Sequence, residues 1–251
     1  MTPASATATG LGDELPHRAL RDVPSHLRFW PVVLVVLALD LWSKYWAFSS
    51  LTPTEAWRAV PGVLEFHRSL NDGAVFGSLT GMTQLFVAAS LCAFVFVLAL
   101  FSGSSPKQRS LHVSLALVLA GALGNLYDRA FAQADVISFI DGRKVIGTVI
   151  DQPDTTIVKV GAWPDGSGAA RYAASDIAKL SRQGVVRDFI RFVPRFPTWV
   201  PRLAGRDVWP WVFNIADSAL VCGVGILLIN FWFDRKKPST ASKGTPAAKD
   251  E

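Results

Sequence analysis

TQLFVAASLCAFVFVLALF, residues 83–101, runs from Thr83 to Phe101 without a single charged side chain. A helical residue rises about 1.5 Å and the bilayer core is about 30 Å thick, so about 20 mostly apolar residues cross it. This stretch has that length and that character, and it makes the chain a membrane protein. Three others resemble it. Residues 29–48, FWPVVLVVLALDLWSKYWAF, carry Asp40 and Lys44 in their later half. Residues 111–127 form a shorter run rich in small residues, and residues 211–233 carry one acid, Asp217, near their start. Trp and Tyr gather at the ends of the first and fourth runs, as interfacial anchors do.

Composition agrees. Half of the 251 residues are hydrophobic and 18% are charged, against about 25% charged in soluble domains. Mean hydropathy is +0.30. Two cysteines exclude a disulfide scaffold. The net charge of +5 is scattered or sits beside apolar runs, so nucleic acid is not an expected partner. The expected fold is an all-α transmembrane core of four helices with a small extracytoplasmic β-rich element.

Lys and Arg orient the spans. Arg18, Arg21 and Arg28 precede the first, Lys107 and Arg109 lie between the second and third, and Arg235, Lys236 and Lys237 end the fourth. Four spans put all three groups on one side, the cytoplasm by the positive-inside rule. The long third loop is also basic, but long loops translocate largely regardless of charge. The expected organisation is a disordered cytoplasmic tail over 1–28, a membrane domain over 29–233, and a basic disordered tail over 234–251. No cleavable signal peptide is expected. Cys92 and Cys222 fall inside spans and read as small core residues.

Ionisable groups in membrane spans are expensive, so each is a functional candidate. With this orientation five polar clusters meet near the outer surface. Asp40 and Lys44 are four apart on one helix face. Asn125, Asp128 and Arg129 end the third span in GNLYDR. Asn214 and Asp217 open the fourth in FNIAD. Asn71 and Gly73 belong to NDGAVFG (71–77), and Asp188 lies in VVRDFI (185–190). Each has a plainer role. Asp40–Lys44 reads as a structural ion pair, Asp128–Arg129 as an interfacial anchor, and Asn125 as interhelical glue beside Gly121 and Gly124. Asp188 alone reads as a solvated loop acid. Asp217 resists such a reading, because no cation sits at helical spacing from it.

The four His are dispersed, which disfavours a zinc site and leaves a serine triad without a base. No phosphate-cradling loop is present. Carboxylates remain: two that share a site hold one proton between them, and such a pair polarises a carbonyl and activates water. Asp188 and Asp217 are the candidates.

DLWSK (40–44), NDGAVFG (71–77), GALGNLYDR (121–129), GVVRDFI (184–190) and FNIADSAL (213–220) resemble, in order, the motifs of lipoprotein signal peptidase, the bacterial type II signal peptidase. The resemblance covers residues 29–233 apart from one insertion. It implies an intramembrane aspartic endopeptidase of the bacterial inner membrane that cuts prolipoproteins just before a diacylglyceryl-modified Cys. The implied catalytic pair is Asp188 and Asp217. Asn71, Gly73, Asn125, Asp128, Arg129 and Asn214 would position substrate or the pair, supported by Asp40 and Lys44. The implied partners are lipidated prolipoproteins and membrane lipids. No cofactor or metal is expected, and the protein is expected to be a monomer.

One feature departs from the family. The Asp of the V-x-D-F pattern follows the D-R pair closely there, whereas Asp188 is far from Arg129. ADVISFID (134–141) looks like a degenerate copy with Ser138 in the Asp position, leaving Asp135 and Asp141 as alternatives to Asp188. The insertion at 134–183 reads as a β-hairpin followed by a short helix over ASDIAKLSRQG (174–184). Tolerated decoration outweighs substrate contact as its role, because long insertions cost little loop entropy. Two rival readings remain, a small transporter or proton relay and an inactive lipopeptide-binding relative.

Overall fold

The computed structural model describes residues 18–52, 56–73, 83–151, 157–161 and 170–235. Residues 74–77 of NDGAVFG and most of both expected tails lie outside them. Four helices are long and apolar enough to cross a membrane: α1 (Val23–Ser50), α2 (Thr83–Gly103), α3 (Arg109–Phe131) and α4 (Ile215–Arg235). Helix α1 begins within the stretch expected as a tail. Asp22 caps it by accepting a hydrogen bond from Ser25 N at 2.9 Å, and a proline stands in its first turn, a start signal with a clear mechanism. Helix α4 begins later than residue 211, because Val212–Phe213 pair as a strand.

Helix α3 is the hub. Leu115, Ala116, Leu119, Ala120, Gly121 and Gly124 are among its buried residues, and small side chains allow neighbouring helices to approach closely. At its early end Phe29 stacks on Phe101 at 4.2 Å and packs with Val33, Val97, Leu115 and Leu119. On the outside Leu34, Val35, Val95, Phe96, Leu228, Phe231 and Trp232 are exposed, an apolar belt that water would penalise and lipid would not.

Two open sheets accompany the helices, more β structure than the sequence led us to expect. The strands of the first are β1 (Trp57–Val60), β2 (Leu64–Asn71), β8 (Val186–Phe192) and β9 (Val212–Phe213), in that order. Phe189 and Ile190 seat this sheet on Ala47 and Leu51 at the end of α1, beside Trp46 and Phe66. The second sheet is the insertion, ordered β6-β5-β4-β3-β7. Its strands are β3 (Gln133–Phe139), β4 (Lys144–Asp151), β5 (Ile157–Gly161), β6 (Ala170–Ala173) and β7 (Ile177–Gly184). The expected hairpin is β4–β5. The expected helix over 174–184 is instead a 3₁₀ turn, Ala174–Asp176, followed by β7. Ile177 and Leu180 have helical spacing, but pairing with β3 over its whole length overrides that weak local preference.

This pairing also resolves the long separation of Arg129 and Asp188. Gln133, just after α3, is the ladder partner of Gly184, just before β8. The insertion thus leaves and returns at one place. Val185 N bonds Ala132 O at 2.9 Å, so Asp188 follows α3 in space as though the inserted sheet were absent.

Candidate active site

The polar residues meet where α1, α3 and α4 end against β2 and β8. Their foundation is an ion cluster. Lys44 Nζ lies 2.8 Å from Asp40 Oδ2 and 3.2 Å from Asp128 Oδ2, and it donates to Asn125 Oδ1 at 3.2 Å. Asp40, Lys44 and Asp128 are completely buried. A buried charge is tolerated only when it is paired and hydrogen-bonded. Asp40 Oδ1 also accepts from Ala216 N at 2.9 Å, which ties α1 to the first turn of α4.

Asp128 is no interfacial anchor. Its Oδ1 accepts from Arg187 Nη2 at 2.6 Å and Nε at 3.0 Å, and its Oδ2 accepts from Arg187 N at 2.9 Å. It therefore fixes the residue just before Asp188 by both side chain and backbone. Arg187 was not singled out from the sequence; the signal was a cation adjacent to the candidate acid in VVRDFI.

The FNIAD motif folds as a reciprocal cap. Asp217 N donates to Asn214 Oδ1 at 2.9 Å, and Asn214 N donates to Asp217 Oδ2 at 3.2 Å. This is the capping-box arrangement with Asp in the third helical position. It sets Asp217 at the helix N-terminus, where negative charge is favoured. Asn125 Nδ2 donates to Asp217 Oδ1 at 2.8 Å.

Asp188 is 2% exposed. Asn214 Nδ2 donates to its Oδ1 at 2.7 Å and Asn71 Nδ2 to its Oδ2 at 3.1 Å. Asn214 thus bridges the two acids, and its Nδ2 also meets Asn125 Oδ1 at 3.1 Å. Burial first, then the charge of Asp217, raise the Asp188 carboxyl well above the ordinary value. Asn71 Oδ1 accepts from Gly73 N at 3.1 Å; Gly73 has φ +132°, a conformation that favours glycine. Arg129 donates to Asn125 O at 3.4 Å, and its guanidinium lies over Phe86.

The alternatives to Asp188 are engaged elsewhere. Asp135 Oδ2 accepts from Val149 N at 2.8 Å, and Asp141 pairs with Arg143 in an exposed turn. Ser138 is the β-ladder partner of Lys144 and Lys179. Among the described residues no group of His, Cys, Asp and Glu has the arrangement of a metal site.

A lipoprotein signal peptidase from Moorella thermoacetica is 36% identical over 130 residues, covering 52% of this chain and 85% of that protein. Another, from Syntrophomonas wolfei, is 28% identical over 211 residues, covering 84% of this chain and 97% of the relative. A bacterial membrane enzyme solved by the in meso method at 2.3 Å shares the fold with a TM-score of 0.56 at 20% identity, over 91% of this chain and all of that one. The family model for signal peptidase II matches residues 32–233, and the chain therefore belongs to the lipoprotein signal peptidase family.

Proposed function

We propose that this chain is a multi-pass membrane aspartic endopeptidase that removes signal peptides from diacylglyceryl-modified prolipoproteins, cutting just before the lipidated Cys. The observation that carries this reading is the bridging of Asp188 and Asp217 by one residue, Asn214. The pair holds one proton, and it resides on Asp188, the acid raised by burial. Asp217 accepts a proton from water as the water oxygen attacks the scissile carbonyl carbon. Asp188 gives its proton to the carbonyl oxygen. Collapse of the tetrahedral diol breaks the C–N bond as Asp217 passes its proton to the Cys nitrogen, the leaving group, and one diol hydroxyl returns its proton to Asp188. No step calls for a covalent enzyme intermediate, metal or cofactor.

Both termini lie in the cytoplasm and the acids at the outer rim, in this reading. The substrate's lipid chains remain in the bilayer while its Cys region enters between the helices, and the enzyme acts as a monomer. Purified protein in detergent is expected to cleave a diacylglyceryl prolipoprotein and spare the unlipidated precursor. Asp188→Asn and Asp217→Asn should each abolish cleavage. Lipid-independent cutting, or a fully active Asp188→Asn, would refute the assignment.

A further inference from the structure

One face of the inserted sheet meets the turn that carries Asn71. Lys144 and Lys179 are both ladder partners of Ser138, and Gln183 is the partner of Ala134. Ladder partners, and alternate residues along a strand, share a face. Lys144, Lys179 and Gln183 therefore lie together. On the opposite face Ile137 and Phe139 pack with Val145, Val149, Tyr172 and Ile177 into a small core of the sheet's own.

On the first face Lys144 forms an ion pair with Asp72, and Gln183 Nε2 reaches the same Oδ2 at 3.4 Å. Asp72 is 6% exposed. It stands between Asn71, whose amide donates to Asp188, and Gly73, whose N–H holds the oxygen of that amide. A two-bond grip on the residue in the middle fixes the backbone on either side of it.

We propose that Lys144 is a positioning residue of this site. With Gln183 it clamps Asp72, and through the backbone of 71–73 it holds Asn71 Nδ2 on Asp188 Oδ2. The inserted sheet is then part of the apparatus that orients the buried acid. This rests on the role given to Asp188 above.

Lys144→Met and Asp72→Asn should each lower kcat by about 10-fold, a modest share of what misplacement at a reacting group costs. KM should stay unchanged, because neither residue is placed against the substrate. Lys144→Arg should recover most of the kcat. The double variant should be no slower than the slower single one, since both remove the same interaction. Lys179→Met, on the same face but outside the clamp, should match wild type. Asp72→Asn alters charge at nearly constant size and carries the test if Lys144→Met fails to accumulate. Wild-type kcat in Asp72→Asn or Lys144→Met, or multiplicative losses in the double variant, would overturn the clamp while Asp188→Asn remained inactive. An active Asp188→Asn would instead remove the reading beneath it.

Discussion

Replacing Gly124 by alanine tests how far the site depends on helix contact. A Cβ there would lie 2.4 Å from Asp40 Oδ2 and 3.1 Å from both Asp40 Cγ and Ala216 Cβ, where ordinary contact begins at 3.4 Å. The carboxylate would have to retreat by about 1 Å, and a displacement of that size near reacting groups costs on the order of 100-fold in rate. Retreat strains its bonds to Ala216 N and Lys44, and with them the helix turn that bears Asp217. Stability should change much less. Overpacking costs about 1–3 kcal/mol, and alanine regains about 1 kcal/mol over glycine within a helix, leaving a net loss of about 0–2 kcal/mol. Gly225, on α4 with nothing within 4 Å of its added Cβ, gives the control: Gly225→Ala gains the same propensity and should keep full activity. Initial rates on lipidated precursor in detergent, beside thermal melts followed by tryptophan fluorescence, separate the two effects. A Gly124→Ala enzyme that cleaves at the wild-type rate would refute the reasoning.

Three other perturbations address separate parts of the site. Lys44→Met leaves Asp40 and Asp128 buried together without their shared cation, and breaking a buried pair costs about 3–5 kcal/mol; an unchanged melting temperature would contradict the ion cluster. Because the folded Asp188 carboxyl is raised above its ordinary 3.8, the folded state binds its proton more tightly than the unfolded one. Its contribution to stability therefore falls as pH rises from that value through the folded value. Cleavage should fall over the upper part of the same range, as the protonated acid is lost, and rate–pH profiles with melts of wild type and Asp188→Asn over one pH series would check both. Asp135→Asn and Asp141→Asn should retain full cleavage, and a dead Asp135→Asn would move the partner of Asp217 to β3.

What the sequence made legible was whatever short-range pattern controls. The charge-free run at 83–101 is visible in any window and became α2. The three-residue spacing of Asn214 and Asp217 placed them on one face, and the reciprocal cap follows from that spacing. The start of α1 was equally readable, since Asp22 precedes a Pro at the first turn, but these polar first turns lie outside the apolar run that marks the span. Long-range facts were hidden. The pairing of Gln133 with Gly184 joins distant residues with no local signature, and it turned an expected helix into β7. The bridge from Asn214 to both acids required two elements to be packed before it could be seen.

The shared doorway of β3 and β7 has a consequence for how such a chain varies. Because the excursion from Gln133 returns to Gly184, its ladder partner, anything added at the far edge of the inserted sheet lengthens a side branch and leaves the main circuit of helices unchanged. That far edge is β6, which β5 and β4 separate from β3 and the doorway. A reporter sequence joined there would extend the branch while the pairing of Gln133 with Gly184 kept Asp188 in its place.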